Sequence, residues 1–163
     1  MRKILSIFIM MAVCFSGYSQ LNNKIWGLTL GSSNKQQTRN VLQAKGYPFD
    51  EFDDGATLGV FLDGGISFGG VTWDFVFLQF YNNTLYSIGF NKEDDGDYWF
   101  DVLKEKLDRK YDYYRCTEEL DKVGYRDDDT WIICFYNEEN LLRLIYSDTL
   151  LMELAMGDED DEL

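Results

Sequence analysis

Histidine is absent from this chain, proline occurs once, and 15 lysines and arginines face 29 aspartates and glutamates. Without histidine, a Ser-His-Asp triad and a His-ligated zinc are both excluded. The net charge of −14 excludes ordinary nucleic-acid binding, which needs a positive footprint for the phosphate backbone. The amino-terminal apolar run, Ile4 to Phe15, is shorter than the roughly 20 residues that cross a bilayer core, which argues against stable membrane insertion. Cysteine is scarce as well, at three residues.

Arg2 and Lys3, the apolar run and then Ser16-Gly17-Tyr18-Ser19 have the layout of a secretory signal peptide. Gly17 and Ser19 set small side chains two apart, so the cut is expected between Ser19 and Gln20. A lipid-anchored start at Cys14 is the rival, but Val13 stands where a lipoprotein peptidase takes Gly, Ala or Ser. Removing residues 1–19 takes two cations away and makes the net charge −16, from −14 for the whole chain. The expected organisation is a leader (1–19), one domain (20–156) and an acidic disordered tail (157–163). The expected location is periplasmic or secreted. The expected partner is another envelope or secreted protein, since so acidic a surface repels nucleic acid and anionic lipid.

What is abundant is aromatic: four tryptophans, eleven tyrosines and twelve phenylalanines. Large rings let a small domain concentrate its burial in few side chains. Cys116 and Cys134 survive leader removal in a compartment that permits oxidation, so an even pair reads as one disulfide, with two buried free thiols as the alternative.

Local signals predict an α+β fold, with two helices packed on a curved, mainly antiparallel sheet. A strand over Ile25–Leu30 leads to a helix over Asn34–Lys45, capped by Ser33 with Gln36 reaching back, carrying Thr38, Val41, Leu42 and Lys45 on one side. Gly46 and Pro48 end it. Strands are predicted over Thr57–Leu62 and Ile66–Phe68, with Asp63-Gly64-Gly65 as the turn between them. A longer strand, Val71–Tyr81, sets Val71, Trp73, Phe75 and Phe77 on one face and Val76, Leu78 and Phe80 on the other, the mark of a central strand. Asn82-Asn83 turns it into Thr84–Phe90. Asp97 caps a second helix, Tyr98–Tyr111, whose stripe of Trp99, Phe100, Leu103, Leu107 and Tyr111 faces the sheet. Further strands are predicted over Tyr113–Thr117, Thr130–Tyr136, Leu141–Tyr146 and Thr149–Met156. Val41–Lys45 and Val102–Lys106 sit 61 positions apart in comparable settings, which suggests two helix-plus-strands repeats.

Trp26-Gly27-Leu28-Thr29-Leu30-Gly31, the capped helix carrying Val41-Leu42, then Gly46-Tyr47-Pro48 and a hairpin together resemble the small envelope module shared by the SmpA/OmlA (BamE-like) proteins and the β-lactamase inhibitory proteins. The resemblance spans Ile25 to Phe90. It implies a short strand and a helix before an antiparallel meander, and a protein-interaction module rather than an enzyme. BamE-like proteins are lipoproteins, and a matching lipid-attachment box is missing here.

Three kinds of chemistry remain to be weighed. Asp74 and Glu153 lie inside predicted strands and are the acids a carboxylate-dependent glycan hydrolase would use, if 5 to 10 Å apart in a cleft. Asn91, Glu93 and Asp95 precede Gly96 as in a calcium loop, but the twelfth position is Val102 instead of glutamate, so a calcium-stabilised surface protein is a further alternative. The glycines of Asp63–Gly70 lack the lysine and following helix of a phosphate loop. No cofactor is expected. Tyr111, Tyr113, Tyr114, Trp131 and Tyr136 cluster in the second half and are the predicted partner contacts.

Overall fold

A computed structural model describes residues 20–93 and 98–160. The expected leader (1–19), the stretch from Asp94 to the expected cap Asp97, and residues 161–163 lie outside the described residues.

The chain opens with a small hairpin, β1 (Lys24–Ile25) and β2 (Leu28–Thr29), where a single strand was the expectation. Trp26 and Gly27 both take positive φ, 57° and 91°, the two-residue turn that matches strand twist. The backward turn drops the indole of Trp26 onto Tyr47, Phe68 and Phe90, with ring centroids 5.4, 6.5 and 5.7 Å away.

Helix α1 (Lys35–Ala44) follows. Its cap is Asn34, not Ser33. The Asn34 carboxamide accepts the Gln37 N–H at 2.9 Å, and the Gln37 side chain accepts the Asn34 N–H at 2.9 Å. Ser33 is held elsewhere, its Oγ accepting the Thr29 N–H. Thr38 and Leu42 are buried while Lys45 is exposed. Gly46, at φ 71°, ends the helix as its N–H reaches the Gln43 carbonyl and the Tyr47 N–H reaches that of Leu42.

Eight strands then build one antiparallel sheet: β3 (Phe49–Glu51), β4 (Thr57–Phe68), β5 (Val71–Tyr81), β6 (Thr84–Glu93), β7 (Arg115–Glu119), β8 (Lys122–Arg126), β9 (Thr130–Tyr136) and β10 (Leu141–Asp148). Their order across the sheet is β3-β4-β5-β6-β10-β9-β8-β7. Helix α2 (Tyr98–Tyr111) and a 3-10 turn, Asp112–Tyr114, separate β6 from β7, and helix α3 (Thr149–Asp160) ends the described chain.

One face of the sheet carries the core. Leu42 of α1, Ile25 and Leu28 of the hairpin, and Phe100, Leu103, Leu107 and Tyr111 of α2 pack on Leu58, Val60, Trp73, Val76, Leu78, Ile88, Phe90, Ile132, Leu144 and Tyr146. Phe90 is the hub of this layer. It stacks on Phe68 at 4.4 Å and meets Trp26, Trp73 and Tyr146 edge-on or tilted.

Several expectations are corrected here. Asp63-Gly64-Gly65 is not a turn between two strands but part of a bulge inside β4, whose pairing with β5 jumps from Phe61↔Phe75 to Ile66↔Trp73. Gly65 must be glycine: its φ is 79°, and a Cβ would stand 2.8 Å from the Trp73 carbonyl oxygen. Opposite this bulge the alternation of β5 slips by one, so Trp73 and Val76 both face the core and Phe75 and Phe77 face away. Tyr113 and Tyr114 belong to the 3-10 turn, so β7 begins only at Arg115. Strand β8, with Val123 and Tyr125 inward, escaped prediction because two apolar residues beside a glycine give little signal.

The expected strand Thr149–Met156 is a helix. Leu, Met, Glu and Ala are strong helix formers, and the Asp148 carboxylate caps the turn by accepting the Leu151 N–H at 2.8 Å. The described residues therefore hold three α-helices where two were expected, and α3 runs through Gly157 to Asp160, where composition alone suggests a frayed tail.

Cys116 and Cys134 are free thiols, which corrects the expected disulfide. They lie on β7 and β9 with β8 between them, two strand spacings or about 9.6 Å, beyond the roughly 7 Å a disulfide spans. Cys134 also points into the core, whereas Cys116 sits beside Gly124 and Trp131 on the opposite face. Burial pushes the Cys134 thiol up to about 12. Maleimide at neutral pH is therefore expected to label Cys116 in the folded protein and Cys134 only after denaturation. Native mass spectra showing two adducts, or none, would contradict this placement.

Candidate functional site: the outer sheet face

The face of the sheet opposite the core is built from three ranks of residues running across the strands. The middle rank reads Gly59, Phe77, Gly89, Ile145, Ile133, Gly124. On one side of it runs Phe61, Phe75, Asn91, Arg143, Phe135, Lys122. On the other runs Thr57, Gln79, Ser87, Ser147, Trp131, Arg126.

Glycine and aromatic residues alternate here for a steric reason. A Cβ on Gly89 would lie 1.9 Å from the Phe77 ring, so the ring rests directly on the bare backbone of β6. Gly59 accommodates Phe52 and Phe75 in the same way, at 2.8 and 3.0 Å. Phe61 stacks on Phe75 at 4.1 Å, and Phe52 meets Phe75 edge-on at 6.2 Å. The result is a low apolar platform, with Phe61 51% and Phe52 42% exposed and Phe75 and Phe77 half-buried.

Helix α3 covers the other half of this face. Met152 and Met156 look onto Trp131, Ile133 and Ile145, and beneath them the Ser147 hydroxyl donates to Ser87 at 3.2 Å. Glu153 of α3 pairs with Arg126 of β8 at 2.7 Å, which fixes the helix at that end.

Beside the platform lies a notch of about 250 Å³, bordered by Phe61, Phe75, Phe77, Leu141, Asn91 and Arg143 and by the charged side chains of Asp74, Lys92 and Glu93. Asn91 and Arg143 are direct cross-strand neighbours. Asn91 is only 7% exposed, yet its Oδ1 accepts nothing, and the Arg143 Nε is buried without an acceptor. Arg143 belongs to no ion pair among the described residues, although acids outnumber bases almost two to one. Buried polar atoms without partners cost about 1–3 kcal/mol each, more when charged.

The sheet edges offer no comparable surface. Strand β3 is three residues long, and β7 is bulged at Cys116 and charged at Arg115, Glu118 and Glu119. Short, bulged or charged edges discourage addition of a further strand.

The residues singled out from the sequence are dispersed. Tyr111 is buried at 3% exposure and tilted against Tyr125, so it belongs to the core and not to a partner surface. Tyr136 packs beside Phe100 on the core side. Tyr113, 72% exposed, and Tyr114 line a shallow cleft with Arg115, Cys116 and Asp127–Asp129 at the β7 end. Trp131 alone of the five lies on the outer face. Phe61, Phe75, Phe77, Asn91 and Arg143 were missed as a set, because a slip in β5 and pairing between distant strands assemble them.

Asp74 and Glu153 do not share a cleft. Asp74 accepts the Glu93 N–H at 2.8 Å on β5, while Glu153 is tied to β8, four strand spacings or about 19 Å across the sheet. Asn91, the first residue of the calcium-loop alignment, is a buried strand residue facing the notch, and positions 94–97 lie outside the described residues.

A charge network joins α2 to the β7 edge. Arg115 contacts Asp108 at 2.7 Å and also Asp112 and Glu118, Lys104 bridges Asp108 and Glu118 at 3.2 and 2.9 Å, and the Tyr125 hydroxyl donates to Asp108 at 2.5 Å. Hydrogen bonds from Lys104 and Arg115 hold the Glu118 carboxyl below its ordinary 4.5. A lowered carboxylate pKa stabilises the fold above the unfolded value, and the effect is lost as pH falls through the folded one. The melting temperature of Glu118→Gln is thus expected to lie below wild type at neutral pH, the gap closing as pH drops below 4.5. A gap that persists in acid would show that the network does not depend on this charge.

No family model matches the chain, and searches among curated proteins and solved structures return no similar protein.

Proposed function

We propose that this chain is an exported, non-enzymatic binding module that docks a partner protein on the outer face of its sheet. The observation that carries the reading is the Phe61-Phe75-Phe77 platform, a contiguous ring surface laid on glycine backbone, with Phe61 exposed and Phe75 and Phe77 half-buried. Contiguous exposed apolar surface bordered by polar groups is what protein interfaces use. Glycines beneath the rings keep the platform flat, which lets a partner backbone approach closely. The polar pair Asn91 and Arg143 at its edge asks for directional hydrogen bonds, which the backbone and side chains of a polypeptide supply.

Order along the chain supports the resemblance to the BamE-like and β-lactamase inhibitory proteins. A helix and a four-strand meander occur twice, α1 with β3–β6 and α2 with β7–β10, and the halves meet through their last strands, β6 against β10. In our reading these are two repeats of one unit, joined so that each contributes half of the docking face. Export through the amino-terminal leader places the module in the periplasm or outside the cell.

The test is site-specific photo-crosslinking in the native envelope. A probe replacing Phe61 or Phe77 should give a discrete adduct with one polypeptide, while a probe replacing Leu120, 97% exposed at the β7-β8 turn, should give none. Equal adducts at all three positions, or none at Phe61 and Phe77, would refute the assignment.

A further inference from the structure

The notch beside the platform has a chemistry of its own. The Arg143 Nε is a buried donor lacking an acceptor, and Asn91 Oδ1 is a buried acceptor lacking a donor, on cross-strand neighbours of β10 and β6. Arg143 matches a planar carboxylate, and Asn91 Oδ1 matches an N–H. Apolar surface continues on both sides of the pair, with Phe75 and Phe61 on one flank and Phe135 on the other. A ligand that filled the notch and then ended there would leave one flank bare. Lys122 stands beyond Phe135 in the same rank and, like Arg143, pairs with no acid among the described residues. The carboxylates of Asp74 and Glu93 and the ammonium of Lys92 also line the notch, so Arg143 is distinguished there by its unpaired Nε and not by an excess of positive charge.

The geometry points to a specific occupant: an internal segment of the partner protein carrying an aspartate or glutamate between apolar residues. Its carboxylate meets Arg143, an N–H near it meets Asn91 Oδ1, and the flanking apolar side chains lie on Phe75 and Phe135. This inference rests on the docking role proposed above and names what the partner brings. The segment supplies partners to two polar atoms that the fold itself leaves unpaired, so the carboxylate contributes selectivity where the rings contribute contact area.

The experiment uses the chain from Gln20 onward and a displayed library of random twelve-residue peptides. Selected peptides are expected to carry Asp or Glu flanked by apolar residues. Synthetic versions should lose tenfold or more in affinity when their acid becomes Gln or Asn. The same loss is expected with Arg143→Met, and with Asn91→Asp, which sets a carboxylate beside Arg143 from within. Melting curves of both variants at or above wild type would show that the loss is not unfolding. Enriched peptides without an acid, whose binding depends on Phe77 but not on Arg143, would overturn the carboxylate assignment while leaving the docking face intact. Peptides ending in a free carboxylate at the notch would overturn the internal-segment assignment. Failure to select any peptide would overturn both readings. Tenfold tighter binding after removal of residues 158–163 would show that the acidic tail already fills the notch, and would overturn the choice of a foreign occupant.

Discussion

Replacing Phe90 with alanine is expected to lower stability by about 3–5 kcal/mol, the range for deleting a buried aromatic side chain. Phe90 is fully buried and is the ring on which Trp26, Phe68, Trp73 and Tyr146 converge. Its loss leaves a void in the layer that joins the amino-terminal hairpin to β4, β5, β6 and β10. Neighbouring strands cannot collapse into the gap, because their spacing is set by the hydrogen-bonded ladder. For a domain of this size the change corresponds to a fall of roughly 10 °C in melting temperature. Calorimetry checks it, and a fall of less than about 1 kcal/mol would mean that the ring cluster does not hold the hairpin to the sheet.

The opposite sign is expected on the other face. Asn91→Leu combined with Arg143→Met replaces two polar side chains, each with a buried unpaired atom, by apolar ones of similar volume. Substituting apolar residues for buried polar or ionic groups often stabilises by about 1–4 kcal/mol. The double variant is therefore expected to melt above wild type while binding worse. A protein retains such a cost when the groups have a partner in the bound state, which is why stability and binding should move apart here. Chemical denaturation with urea measures the first and peptide affinity the second. A double variant less stable than wild type would mean that both side chains are satisfied within the fold.

Much of the fold was legible from short-range signals. Val71–Tyr81, Tyr98–Tyr111 and Thr130–Tyr136 have the bounds that periodicity assigns them, and Asn82-Asn83 turns the chain at φ 46° and 66° as its sequence implies. These elements have their cause within a few residues. The errors arose where the cause lies further away. Trp26-Gly27 reads as strand until the ring cluster that holds the indole is known. Asp63-Gly64-Gly65 reads as a turn because its glycines have the right chemistry, yet β5 pairs on both sides of them and makes a bulge. Thr149–Met156 is apolar enough for a strand, but it lacks β-branched residues after Thr149 and follows a capping aspartate, a local signal that could have been read.

The candidate site was less legible than the fold. Phe61, Phe75, Phe77, Asn91 and Arg143 come from four strands, and only register puts them together. Tyrosines clustered in sequence proved a poor guide, since Tyr111 faces the core and Tyr113 lies at the far edge. The usable signal was Gly59 and Gly89 within strands: glycine weakens a strand unless a ring or another backbone lies against it.

Phe77 and Phe90 stand on neighbouring strands and face opposite sides of the sheet, so the same substitution at each separates docking from folding. With the photo-crosslinking probe held at Phe61, Phe77→Ser is expected to abolish the envelope adduct while leaving the protein folded, at a cost of about 1–3 kcal/mol because the half-buried ring also covers Gly89. Phe90→Ser should unfold the protein. An adduct that survives Phe77→Ser in a folded protein would contradict the claim that this chain meets its partner through the outer face of its sheet.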